Sequence, residues 1–276
     1  MPMRPSFRRR KLARRLRRMR EEAGMTIEDA AARLDKHRNS LYRIEAGETK
    51  VDVHLARTMM DVYDHYAPDL LDQVRDALTP GWWTTYGLRN MGYVDIETEA
   101  VAVRELTLLH VPGLLQTEDY ARAVLESGQR WSKPELAAHV KVRMVRQRRL
   151  TAEDDPLHLT ALVDETALRQ RIGSSALMRE QLEYLTMVAE VDTVDLRVLP
   201  QTIGAHAGQR GPFTLLYFPD PAEPPLLYVS YATGALHSED PDQVNRAKVL
   251  FENLLGLALA PAESVALIER VHAEFE

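Results

Sequence analysis

Residues 14–47 read RRLRRMREEAGMTIEDAAARLDKHRNSLYRIEAG, three short apolar-periodic segments joined by two tight breaks, with arginines crowding the outside. Gly24 separates the first segment from the second. Thr26 stands at the N-cap position of the second, where its hydroxyl can accept an orphan backbone N–H, and Asp29 three residues later nearly completes a capping box. Ile27, Ala30, Ala31 and Leu34 follow at helical spacing and give this helix one apolar stripe. In the third segment, Arg38 to Glu45, burial of Leu41 and Ile44 turns Arg38, Asn39, Tyr42 and Arg43 to the other side. Long donors and an amide on an exposed face are the groups that read base edges, since Arg donates twice to guanine O6 and N7 and Asn bonds adenine N6 and N7 together. A helix, a short turn and a donor-rich helix predict a helix-turn-helix on DNA. The candidate DNA-contact residues are Thr26, Lys36, His37, Arg38, Asn39, Ser40, Tyr42, Arg43 and Lys50.

Outward from this stretch, residues 6–22 read as a helix with the apolar line Leu12, Leu16 and Met19 and with Ser6 as its cap. Basic residues in its first turns oppose the macrodipole, which points to arginines that serve a partner. A fourth helix is expected from Asp52 to Tyr66 and a fifth from Pro68 to about Ala77. Thr79-Pro80-Gly81 stops the regular pattern, and the following dozen residues, with Trp82 and Trp83, lack a period. The domain boundary is placed here: residues 1–80 form an all-α helix-turn-helix domain and residues 81–276 a second domain.

That second domain reads as α+β. A helix pattern from Asp95 to about Val103 precedes a β-like run from Leu106 to Val111. Thr117 caps a helix to Ser127, and Ser132 with Glu135 forms a capping box for a long helix to about Leu150, whose arginines read as a solvated basic face. Further strands are expected at 157–163, 194–199, 213–218 and 226–231, with helices at 165–171, 174–190, 241–259 and 262–275. The sum is a multi-domain chain, the second part packing helices against a small sheet of four or five strands.

The chain has 276 residues, 45% of them hydrophobic, enough for two cores. It has no cysteine, which excludes disulfides, thiolate nucleophiles and cysteine zinc sites and fits a reducing cytoplasm. Its apolar runs fall far short of the roughly 20 residues that span a bilayer, so no membrane role is expected. The net charge of −6 hides an asymmetry: residues 1–50 carry 15 Lys+Arg against 7 Asp+Glu, and the remainder carries 20 against 34. The basic end seeks a polyanion and the acidic remainder is repelled by one.

At the level of families, Leu16 to Gly47 resembles the Cro/CI-type (XRE) helix-turn-helix, with the R-x-x-x-G-M-T start at Arg20 and the ending Arg43-Ile44-Glu45-x-Gly47. The resemblance implies a structural ion pair between Arg20 and Glu45 beneath the recognition helix. Two positions depart from the family pattern: Ile27 replaces a phosphate-contacting Gln, and His37 replaces a capping Ser. The pair Trp82-Trp83, the stretch VPGLLQTEDYA at 111–121, Asp164-Glu165-x-Ala-Leu-Arg169 and GPFTLL at 211–216 look like a domain of unknown function fused to XRE domains in regulators of high-GC Gram-positive bacteria, the WhiJ-like or antitoxin-like regulators. What this implies is transcriptional regulation, often beside a small partner protein. It supplies no catalytic residue.

A search for catalytic chemistry yields little. The histidines show no H-E-x-x-H, although His110, His206 and His237 could meet in space, and there is no G-x-S-x-G elbow. The Gly-rich stretch 204–212 lacks a phosphate-loop lysine and leads into a strand, so it reads as a flexible loop. The expectation is therefore a homodimeric, non-enzymatic regulator of double-stranded DNA without cofactor or metal. Its acidic domain takes a small protein or a small ligand. Two alternatives are an antitoxin-like protein that sequesters a small partner, and an enzyme fused to a helix-turn-helix.

Overall fold

The computed structural model describes residues 5–89, 91–128 and 130–275. They divide into two compact units: one runs up to Thr85 and includes Arg89–Glu99, and the other holds Tyr86–Leu88 and everything from Ala100 onward.

The N-terminal unit is all-helical: α1 Phe7–Glu22, α2 Ile27–Arg33, α3 Arg38–Glu45, α4 Val53–Tyr63, α5 Leu70–Leu78 and α6 Gly92–Glu97, with a 3-10 turn at Trp82–Tyr86. Leu12, Leu16 and Met19 of α1 meet Ala30, Leu34, Leu41, Ile44, Met59 and Leu70 in one core. Both breaks of the opening stretch use left-handed residues, Gly24 at φ +66 after α1 and Asp35 at φ +50 after α2, where a side chain costs more than at glycine. α4 ends at Tyr63, short of Tyr66, because Asp64 also turns left-handed at φ +50 and leaves Tyr66 exposed. Ser6 flanks α1, but its hydroxyl makes no cap bond.

The boundary expected after Pro80 and the division into compact units differ, for a physical reason. The Phe7 N–H donates to Asp95 Oδ2 at 2.6 Å, and Arg8 pairs with Glu99 at 2.6 Å. These contacts tie α6 to the start of α1. Burial pushes the Asp95 carboxyl above its ordinary pKa, and the Phe7 N–H acts in the opposite direction. Trp83 is buried, and Trp82 donates from Nε1 to Thr98 Oγ1 at 3.0 Å, so the tryptophan pair serves local packing in this unit.

The C-terminal unit is α+β, built on a six-stranded mixed sheet in the order β3-β2-β1-β4-β5-β6. The strands are β1 Ala102–Thr107, β2 His158–Asp164, β3 Val194–Leu199, β4 Phe213–Tyr217, β5 Leu226–Tyr231 and β6 Gly234–Ser238. β1, β2 and β3 run parallel, and β4, β5 and β6 add antiparallel. The helices are α7 Glu118–Gly128, α8 Lys133–Gln147, α9 Glu165–Arg169, α10 Ser175–Val188, α11 Pro241–Leu255 and α12 Pro261–Ala273. α11 covers one face of the sheet through Val244, Ala247, Phe251 and Leu254 against Leu106, Phe213, Leu215 and Leu227.

The first strand, the sixth strand and the α8 arginines depart from the sequence expectation. The first strand begins at Ala102, where a helix had been expected, because Arg104 and Glu105 interrupt the alternation while Val103 and Leu106 are buried. The sixth strand, GALHS, carries almost no apolar alternation and forms by pairing with β5. The α8 arginines are not a simple solvated face. Arg143 Nη1 donates to Gln116 Oε1 at 2.5 Å, and Arg149, in the 3-10 turn after α8, donates to Ala100 O at 2.9 Å. In the 204–212 stretch Gly208 is buried, and a Cβ there would lie 2.9 Å from Leu254 Cδ1, while most of the other residues of the loop are exposed.

Candidate nucleic-acid interface

Local chemistry fixes the angle at which α2 and α3 meet. Thr26 Oγ1 accepts from Asp29 N at 3.1 Å and donates to Asp29 Oδ2 at 2.6 Å, which closes the first turn of α2. Lys36 N donates to Ala31 O at 2.9 Å across the turn. His37 flanks α3 at the N-cap position without a side-chain cap bond, as its departure from Ser implies. Ile27 packs against the core, so apolar contact stands where the family pattern has a phosphate-binding amide.

The two buried residues of α3, Leu41 and Ile44, leave Arg38, Asn39, Ser40, Tyr42 and Arg43 exposed on one face, Tyr42 at 63%. Thr26, His37 and Lys50 are exposed too, and Lys36 is half-buried. Arg20 and Glu45 lie beneath the helix: Arg20 donates from Nε to Glu45 Oε1 at 2.7 Å and from Nη2 to Glu45 Oε2 at 2.9 Å, while its Nη1 reaches Met25 O at 2.8 Å. One side chain thus ties α1, the start of α2 and the end of α3 together. The hydrogen bond to Glu45 holds the Arg20 guanidinium above its ordinary pKa, against the effect of burial.

The arginines of α1 do not simply await a polyanion. Arg9 Nη2 donates to Glu48 O at 2.8 Å, Arg15 pairs bidentately with Asp69 at 2.5 and 2.8 Å, and Arg10 and Arg14 lie over the Phe7 ring. A charge run locates a surface, but the acids that meet it come from elements distant in sequence. Sequence reasoning also missed two acids at the recognition face: Glu28 contacts Arg38 Nε, and Glu48 Oε2 lies 3.3 Å from Arg43 Nε. The only local signal was the i, i+5 spacing of Arg43 and Glu48.

His206 Nε2 lies 3.3 Å from Asp164 Oδ2, and His237 packs edge-on to Tyr228, so these histidines are engaged at separate places. Among the described residues no group of three or more His, Asp or Glu is arranged to hold a metal ion. No helix among them is long and apolar enough to cross a membrane.

Comparison with known proteins agrees with this division of labour. Residues 11–74 match the model of a helix-turn-helix domain, which suggests that the N-terminal unit binds DNA, and residues 91–270 match the model of a domain of unknown function (DUF5753). Neither the curated proteins nor the solved structures gave a match. The second family model spans more than half of the chain, and the protein therefore belongs to the DUF5753 family, here carried behind an XRE-type helix-turn-helix.

Proposed function

We propose that this protein is a sequence-specific, homodimeric transcriptional regulator of the cytoplasm, and that its C-terminal unit receives a small protein partner, or failing that a small ligand, which modulates DNA binding. The observation that carries the reading is the exposed face of α3, where Arg38, Asn39 and Arg43 stand together over the buried pair Leu41 and Ile44. These three are assigned to base reading, and Thr26, Lys36, His37, Ser40, Tyr42 and Lys50 flank them as backbone or auxiliary contacts. Each alanine change at Arg38, Asn39 or Arg43 should cost about 1–3 kcal/mol on a duplex recovered by in-vitro selection, with a much smaller loss on random duplex. Equal losses on both duplexes would refute base reading.

One helix-turn-helix offers few contacts, and dimers of this class read half-sites about one helical turn apart, which is the reason for expecting two copies on a two-fold site. The acidic remainder is repelled by DNA, and the sequence shows no catalytic motif there, which favours a receiving role over an enzyme. Binding there shifts operator affinity only if it prefers one arrangement of the DNA-binding units. Operator titration with and without a co-purifying small protein tests this. The full chain should respond, and an artificially dimerised 1–99 fragment should not. Equal responses would remove the C-terminal unit as receiver. An antitoxin-like protein, whose main task is sequestering that partner, is the second reading, favoured by a stable complex that forms without any change in operator affinity.

A further inference from the structure

We infer that Glu28 and Glu48 are positioning residues for base reading: each carboxylate fixes the guanidinium plane of one recognition arginine, Arg38 and Arg43 respectively, and so raises the ratio of specific to nonspecific DNA binding. The inference rests on the base-reading assignment of those two arginines.

Carboxylates on a surface that meets phosphates cost affinity through repulsion. Glu28 and Glu48 are nevertheless on this face, and each makes its contact at the arginine Nε. A carboxylate at Nε holds the guanidinium plane while the Nη pair can still donate to guanine O6 and N7. Neither pair is there for stability. All four side chains are more than half exposed, at 65% and 58% for Arg38 with Glu28 and 63% and 53% for Arg43 with Glu48, and exposed ion pairs contribute little. Arginine carries large rotamer entropy, and what the contact changes is how much of that freedom remains to be lost on DNA.

The backbone beneath each acid is held in place. Glu28 lies in the first turn of α2, behind the Thr26 cap. Glu48 is held from both sides: its N–H donates to Arg43 O at 2.9 Å, and its own carbonyl accepts from Arg9 Nη2 at 2.8 Å. Gly47 turns the chain at φ +73, and a Cβ there would lie 3.3 Å from Arg9 O, so the loop presses against α1. The Glu48 carboxylate is thus delivered to Arg43 by a loop that α1 fixes.

The test is equilibrium binding of the full-length chain to a duplex recovered by in-vitro selection and to a scrambled duplex of the same length, at one salt concentration, for wild type, Glu28→Gln, Glu48→Gln, Arg38→Ala, Arg43→Ala and the doubles Glu28→Gln/Arg38→Ala and Glu48→Gln/Arg43→Ala. Each Gln variant should bind the scrambled duplex more tightly and lose about three- to ten-fold in the selected-to-scrambled ratio, the equilibrium equivalent of ordering one rotamer-rich side chain. Measured against Arg38→Ala or Arg43→Ala alone, the corresponding double should show no further loss in that ratio, because the arginine that the carboxylate positions is absent. Gln variants that tighten both duplexes equally would show the acids to be repelling charges only and overturn the inference while leaving base reading intact. If Arg38→Ala and Arg43→Ala instead weaken both duplexes equally, base reading fails and the inference falls with it.

Discussion

Glu45→Ala should destabilise the N-terminal unit by about 3–5 kcal/mol, the cost of leaving a buried guanidinium without its counter-charge. The Arg20 and Glu45 side chains are only 9% and 5% exposed, and two parallel hydrogen bonds join them. Arg20 cannot relieve the loss by deprotonating, because a guanidinium stays charged in proteins. Nor can Tyr63 replace the lost carboxylate. Its hydroxyl is buried without a hydrogen-bond partner among the described residues, and burial is the main cause that pushes its pKa up to about 12, a cause that persists when the Glu45 charge, the second one, is removed. Hydrogen exchange in the full chain localises the effect: amides of α1, α2 and α3 should exchange faster while those of the sheet do not. The apolar double Arg20→Met/Glu45→Leu should recover much of the loss, because replacing a buried pair with packed hydrophobic groups is often neutral. Exchange and denaturation profiles unchanged by Glu45→Ala would reject the pair as a stabilising element. Operator binding should weaken with the same variant near its melting range, since the pair sets α3 against α1.

The N-terminal helices were legible because each buries one stripe at helical spacing, and Leu41 with Ile44 was enough to say which face of α3 looks outward. The Arg20–Glu45 contact spans 25 residues and was reachable only through the family resemblance. Glu28 and Glu48 escaped notice because their relation to the arginines depends on the turn after α2 and the cap after α3, neither of which a pattern of apolar residues encodes. The C-terminal unit was harder for a similar reason. The core strands β2 and β4 announce themselves as largely apolar runs and β3 by its alternation. β1 hides Arg104 and Glu105 between two buried residues, and β6 is a strand only because β5 supplies its hydrogen bonds. The basic helix α1 illustrates the limit of reading charge: Asp95 and Glu99 engage its first turn and Asp69 engages Arg15, and all three acids are distant in sequence.

In the C-terminal unit, Gln181→Leu should cost about 2–6 kcal/mol, because it leaves two backbone groups without partners, at about 1–3 kcal/mol each. Gln181 of α10 is fully buried. Its Oε1 accepts from Thr117 N at 2.8 Å and its Nε2 donates to Leu115 O at 2.7 Å, so one amide closes the turn that carries the VPGLLQT sequence. The same turn is locked from within: Gln116 Nε2 donates to Val111 O at 2.7 Å, the Val111 N–H donates to Tyr120 Oη at 3.3 Å, and Thr117 Oγ1 accepts from Tyr120 N at 3.3 Å. Leucine has a similar volume and no donor or acceptor, so the substitution separates hydrogen bonding from packing. Urea denaturation of the full chain should show the loss, and exchange at Leu114 to Ala121 should rise first. A change below about 0.5 kcal/mol, the range of ordinary surface substitutions, would mean that the turn finds other partners. The expected result bears on function as well as stability. If these residues act as a lock, the 111–121 stretch serves the fold, and the receiving surface of this unit has to be sought elsewhere.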